Sequence, residues 1–173
     1  MELDSVSFLF EKSELILLLR LLGCESITIP SEGDDVDTEG TLERLQEDQL
    51  ISGSREALAV DQVIAFLLLA MDGAPFRLEV SGGRYLAVFK AASVSIVLQE
   101  RGVRWLIAPF PVFSEARMFL LRALEKVQPP CSLTVHSKSG IEQLRFQTKK
   151  ALAEAAGKLL PVEEDEVKEK WKP

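Results

Sequence analysis

The chain has 173 residues, 47% of them hydrophobic and 27% charged, with a net charge of -7 and a pI near 4.9. This is globular rather than disordered composition, enough for one elaborated domain. The acidic balance argues against non-specific nucleic-acid binding, which needs a cationic surface. The longest apolar runs, LILLLRLLG and IAFLLLAM, fall far short of the roughly 18 residues that a membrane span requires.

Two cysteines, Cys24 and Cys131, are too few for a disulfide framework and read as reduced, buried thiols. The N-terminal MELDSVSFLF starts acidic, not basic, so no secretory signal and a cytoplasmic location are expected. The expected organisation is a single α+β domain over residues 1–160, with an acidic loop at 31–40, and a charged tail over 161–173.

Residues 3–10 alternate partly and predict a short strand or an extended lead-in. Ser13 is the expected N-cap of a helix with its apolar body at Leu15 to Leu22, stopped by Gly23. Ile27 and Ile29 flank a polar residue and predict a short strand. SEGDDVDTEG (31–40) is acidic with two glycines and reads as a loop; it lacks the ordered ligand spacing of a calcium site. A helix follows from Gly40 or Thr41, with Leu42, Leu45 and Leu50 on one side. A turn and a short extended piece (SGSREALAV) come next. Asp61 then caps a second helix, which ends at Gly73 with Pro75 beyond. Helix, small turn-and-strand, helix is a winged-helix-like layout. That second helix is almost wholly apolar, so it reads as a buried core helix rather than a DNA-reading one.

The stretch Phe76 to Pro111 organises the rest. Four apolar-alternating runs are separated by Gly82-Gly83, Ala91-Ala92 and Arg101-Gly102. Two-residue turns at these breaks set Val80 against Tyr85, Ala87 against Ile96 and Leu98 against Trp105, which gathers the apolar residues on one face. Ala91-Ala92 is a poor turn pair, so a wider loop is expected there. On the other face the same register lines up Leu86, Val97 and Leu106, a sign of a sheet covered on both sides. Its cover would be a helix of this chain, a second copy or a partner.

After the meander, Ser114 is the expected cap of a helix over SEARMFLLRALEKV, ended by Pro129-Pro130. CSLTVHS alternates as a strand, Lys138-Ser139-Gly140 is a turn, and IEQLRFQ fits a paired strand or a helix start. TKKALAEAAGKLL is helical up to Pro161.

No catalytic constellation is visible. His136 is the sole histidine, with no nucleophile elbow nearby. One histidine and two distant cysteines cannot close a zinc site without several carboxylates. The glycine pairs fit hairpin turns, not a phosphate loop. The residues therefore point away from an enzyme, and no metal or cofactor is expected.

The order of parts carries a resemblance. A leucine-rich helix with a turn (LERLQEDQLI…ALAVDQVIAFLLLA) precedes the meander (FRLEVSGGRYLAVF, VSIVLQERGVRWLIAPFP), and a helix follows the prolines (SEARMFLLRAL). Over residues 10–127 this resembles one half of the EspG family, cytosolic chaperones associated with type VII secretion. The family is built from two related halves, whereas this chain has room for about one. The resemblance implies a non-catalytic adaptor or chaperone that keeps a helical-hairpin secretion substrate soluble, and a homodimer that rebuilds the two-half body. The expected partner-binding residues are Leu86, Val97 and Leu106, with Arg84, Arg101 and Arg104 as a polar rim. Neither nucleic-acid binding nor membrane insertion is expected. The alternatives are an immunity or antitoxin-type protein and a winged-helix transcription regulator.

Overall fold

The computed structural model describes residues 7–29, 38–54 and 56–162. The alternating runs of the meander form β4 (Phe76–Ser81), β5 (Leu86–Lys90), β6 (Ser95–Arg101) and β7 (Arg104–Phe110). Three further strands extend them. β1 (Phe8–Glu11) pairs with β7, β8 (Cys131–Ser137) pairs with β4, and β9 (Gly140–Phe146) pairs with β8. The result is one seven-stranded antiparallel sheet in the order β1-β7-β6-β5-β4-β8-β9. The α+β expectation holds, with a wider sheet than the meander alone.

The hairpins differ in register from the two-residue-turn reading. Ala87 faces Leu98, and Leu98 faces Ile107. Both pairings are two residues off, because residues 91–94 form the wider loop and the last turn sits on Gly102-Val103. A two-residue shift preserves the faces. Tyr85, Ala87, Phe89, Ile96, Leu98, Trp105 and Ile107 therefore share one buried cluster. The β4–β5 pairing is one residue off: Val80 faces Leu86, not Tyr85. That shift moves Leu78 and Val80 to the opposite cluster. The turn holds Gly82 at φ 105°, where an added Cβ would lie 3.1 Å from the Cys131 Cα and the Pro130 carbonyl oxygen. Only a glycine fits so close an approach at that φ.

On the first face lie α1 (Lys12–Leu21), α2 (Thr38–Glu47), the two-stranded hairpin of β2 (Ile51–Ser54) and β3 (Ala57–Val60), and α3 (Gln62–Asp72). α1 is capped by Glu11 rather than Ser13: the Glu11 N–H donates to Glu14 Oε1 at 2.9 Å in a capping box. α3 is capped by Asp61, whose carboxylate accepts from the Val63 and Ile64 N–H groups, as its spacing predicts. Ile27 and Ile29 are buried without forming a strand. On the second face lie α4 (Phe113–Leu124), which starts with no side-chain cap from Ser114, and α5 (Lys149–Leu159), capped by Thr148. Of the acidic stretch 31–40, residues 38–40 open α2; the rest of it, and residues 163–173, lie outside the described residues.

Candidate functional site: exposed surfaces of the sheet and of α3

The expected docking row is not a surface. Leu86, Val97 and Leu106 do share the second face, but they are 2%, 0% and 3% exposed. They pack in one cluster with Phe113, Ala116, Leu120 and Leu124 of α4. The amphipathic helix after the meander returns across the sheet and seals it. These three residues are core, and the surface proposed on them is corrected accordingly.

An apolar surface exists elsewhere. α3 buries Ile64, Leu67, Leu68 and Met71 and turns Val63, Phe66 and Leu69 outward, at 53%, 52% and 48% exposure. Steps of three residues keep these side chains on one helix face. The buried-core reading of α3 is therefore half correct. The missed sign was its composition: QVIAFLLLAMD is apolar on every side, and a helix resting on one sheet buries only one. The same geometry disfavours α3 as a DNA-reading helix, because its outward stripe of Val63, Phe66 and Leu69 offers no hydrogen bond to base edges.

The three arginines do come together. Arg101 and Arg104 are direct register partners closing the β6–β7 turn. Arg84, two residues before Leu86, reaches the same end of the sheet beside them. All three are exposed, and Arg101 Nε donates to Gln99 Oε1 at 3.0 Å.

A polar cluster occupies the first face of β4 and β8. Arg77 Nε lies 3.5 Å from Glu79 Oε1, and Arg77 Nη2 lies 3.3 Å from His136 Nδ1. Arg77 Nη1 also donates to the Ser26 carbonyl at 2.6 Å, and the Ser26 N–H donates to Asp72 Oδ1 at 2.9 Å. This chain of contacts ties the end of α3 to the sheet. Burial and then the Arg77 charge push the His136 pKa below its ordinary value, against an opposing pull from Glu79. His136 is thus held neutral, with Nδ1 able to accept from Arg77. Burial, and then Glu79, push the Tyr85 hydroxyl far up. The Ser26 hydroxyl donates to Asp72 Oδ1 at 2.6 Å, while the His136 ring meets Arg77 and Glu79 rather than Ser26, so the histidine does not serve that hydroxyl as a base.

Burial raises the Cys24 thiol to about 11 and also raises Cys131. Neither is disulfide-bonded. Among the described residues no group of three or more His, Cys, Asp and Glu side chains could hold a metal ion, and no helix is long and apolar enough to cross a membrane. A depression of about 490 Å³ is lined by Gln46, Gln49, Ile51, Ser52 and Gly53, none of which titrates as an acid or a base.

No protein-family model matches the sequence, and no curated protein matches it. Among solved structures the chain is similar to the type VII secretion system chaperone EspG5 of Mycobacterium tuberculosis, determined in complex with a PE25–PPE41 dimer, at a TM-score of 0.52 and 8% identity. The match covers 72% of this chain and 53% of that one, so it spans about half of the chaperone chain. The likeness is one of fold: an EspG-like arrangement of helices on an antiparallel sheet.

Proposed function

We propose that this chain is a non-catalytic protein-binding adaptor or chaperone, and that the outward face of α3 is where it meets its client. The observation that carries this reading is the Val63–Phe66–Leu69 stripe, which is half-exposed on an otherwise well-buried helix. Apolar side chains clustered on one helix face mark contacts more often than scattered ones do. Covering three half-exposed side chains contributes on the order of 3 kcal/mol, about a hundredfold in affinity. Stripes with this spacing fit the apolar face of another helix. The fold likeness to a chaperone solved with protein partners supports a protein client, here a helical-hairpin secretion substrate held in the cytoplasm.

The test is co-expression with helical-hairpin proteins encoded beside its gene, followed by light scattering on the eluted complex. The Phe66→Asp variant is expected to lose the complex while melting within about 2 °C of the parent, since it alters an exposed position. A complex that survives Phe66→Asp overturns the assignment of the stripe. A parent that runs as a dimer, and a Phe66→Asp variant that runs as a monomer, would give the stripe to a second copy instead.

A further inference from the structure

The end of the sheet that carries the arginines gathers more positive charge than those three residues. Ser81 pairs with Ser132, and Cys131 pairs with Phe146, so the last residues of β9 reach the same end as the β4–β5 turn. Arg145 lies there. α5 begins three residues after β9 ends, bringing Lys149 and Lys150 to that end as well. Arg84, Arg101, Arg104, Arg145, Lys149 and Lys150 are all exposed. None of them forms an ion pair with another described residue. Of the carboxylates nearby, Glu11 is the register partner of Arg104 and also meets Arg44 at 3.5 Å, Glu100 accepts from the Tyr85 N–H at 3.0 Å, and Glu154 stands one helical turn beyond Lys150. Glu125 is followed by Lys126.

Two of these placements are locally unfavourable. Like charges directly opposite in an antiparallel pair repel, and Arg101 faces Arg104 on the side away from Glu11, which meets Arg104 across β1–β7. Cations in the first turn oppose the helix dipole, and α5 opens with Lys149-Lys150 and no acidic residue. Both occur at one end of a chain whose net charge is -7. Local rules broken together in one place are the mark of a functional surface rather than of a solvated one.

We propose that this end of the sheet docks an acidic stretch of a protein partner. From β7 to β9 the row crosses five inter-strand steps of about 4.8 Å, a span of roughly 24 Å. An extended segment of about seven residues, or a helix of about sixteen, covers that distance. The choice of polypeptide over nucleic acid rests on the aromatic side chains: Tyr85 and Trp105, at this end of the sheet, are buried at 6% and 3% exposure, so the cations there have no aromatic platform beside them on which bases could stack. The inference is separate from the α3 stripe, which lies on an apolar helix of the first face, and either assignment can fail without the other.

The test uses the full chain and fluorescence anisotropy with three labelled probes: a 16-residue poly-glutamate peptide, its poly-glutamine counterpart and a 16-nucleotide single-stranded DNA. The parent is expected to bind poly-glutamate in a salt-dependent way and to ignore poly-glutamine. The combined variant Arg84→Ser/Arg101→Ser/Arg104→Ser is expected to weaken binding at least tenfold, and Lys149→Ser/Lys150→Ser to weaken it severalfold. A control with the same charge loss away from this end, Arg20→Ser/Lys138→Ser/Lys158→Ser, is expected to bind as the parent does. Thermal melts check that each variant is folded. The proposal is overturned if poly-glutamate does not bind, if the control loses as much as the arginine variant, or if the DNA binds as tightly as the peptide. Phe66→Asp is expected to leave poly-glutamate binding unchanged, which separates this result from the test of the stripe.

Discussion

Placing a charge at Val97 asks directly which side of the sheet is closed. Val97 is 0% exposed, faces Val88 and Ala108 across the neighbouring strands, and lies in the layer beneath α4. Val97→Asp removes a buried isopropyl group, a loss of about 1.5–3 kcal/mol. It also puts a carboxyl where no partner waits. Held neutral at pH 7, a carboxyl whose pKa is lifted by about three units costs roughly 4 kcal/mol. The sum, about 6 kcal/mol, is comparable with the whole stability of many domains, at 5–15 kcal/mol. A variant that still folds should melt roughly 12–24 °C lower. Urea unfolding followed by circular dichroism measures the loss. The pH profile checks the cause. The introduced carboxyl has a raised folded-state pKa, so its penalty is absent below about pH 4, where both states are protonated, and grows as pH rises above that value. A Val97→Asp protein with parental stability at pH 7 would place Val97 on an open surface and refute the burial argument.

Two further outcomes follow from single contacts. Asp61→Ala removes the carboxylate that accepts from Val63 and Ile64, and should cost about 1 kcal/mol in urea unfolding; Asp61→Asn should recover most of it. His136 has a folded-state pKa below its ordinary 6.5, so the unfolded chain takes up its proton first as pH falls. Stability should therefore drop as pH falls through 6.5 and level off below the folded pKa, and His136→Gln should flatten that part of the profile.

The two apolar clusters were legible because period-2 alternation survives a register error of two residues. Tyr85, Ala87, Phe89, Ile96, Leu98, Trp105 and Ile107 share a face under either pairing. What alternation cannot reveal is the length of a loop, so β4 slipped by one residue and Leu78 and Val80 changed sides. Leu86, Val97 and Leu106 were correctly seen as apolar on the second face. The helix that covers them lies nearby in sequence, yet its pattern shows only that it is amphipathic, not which surface it meets. The outward side of α3 escaped notice for the converse reason: an apolar residue does not announce whether a neighbour is present. Arg101 and Arg104 could be placed at one turn, though the expected register set Arg104 against Gln99, whereas the arrival of Arg145 and Lys149 at that end depends on β8 joining β4. That is a contact between segments about fifty residues apart, which leaves no local trace.

The middle of the sheet and its β1 edge make unequal demands on the unfolded chain. The β5–β6 hairpin closes over residues 91–94, whereas β1 can reach β7 only after Glu11 and Arg104, which bracket residues 12–103, are brought together. Loop entropy grows with the logarithm of loop length, so the outer closure is harder by on the order of 3 kcal/mol. The four residues of β1 offset that deficit only where a finished β7 is there to receive them. The pairing of β1 therefore draws on the rest of the fold more than the central hairpin does, and its attachment is the closure most exposed to anything that loosens β7.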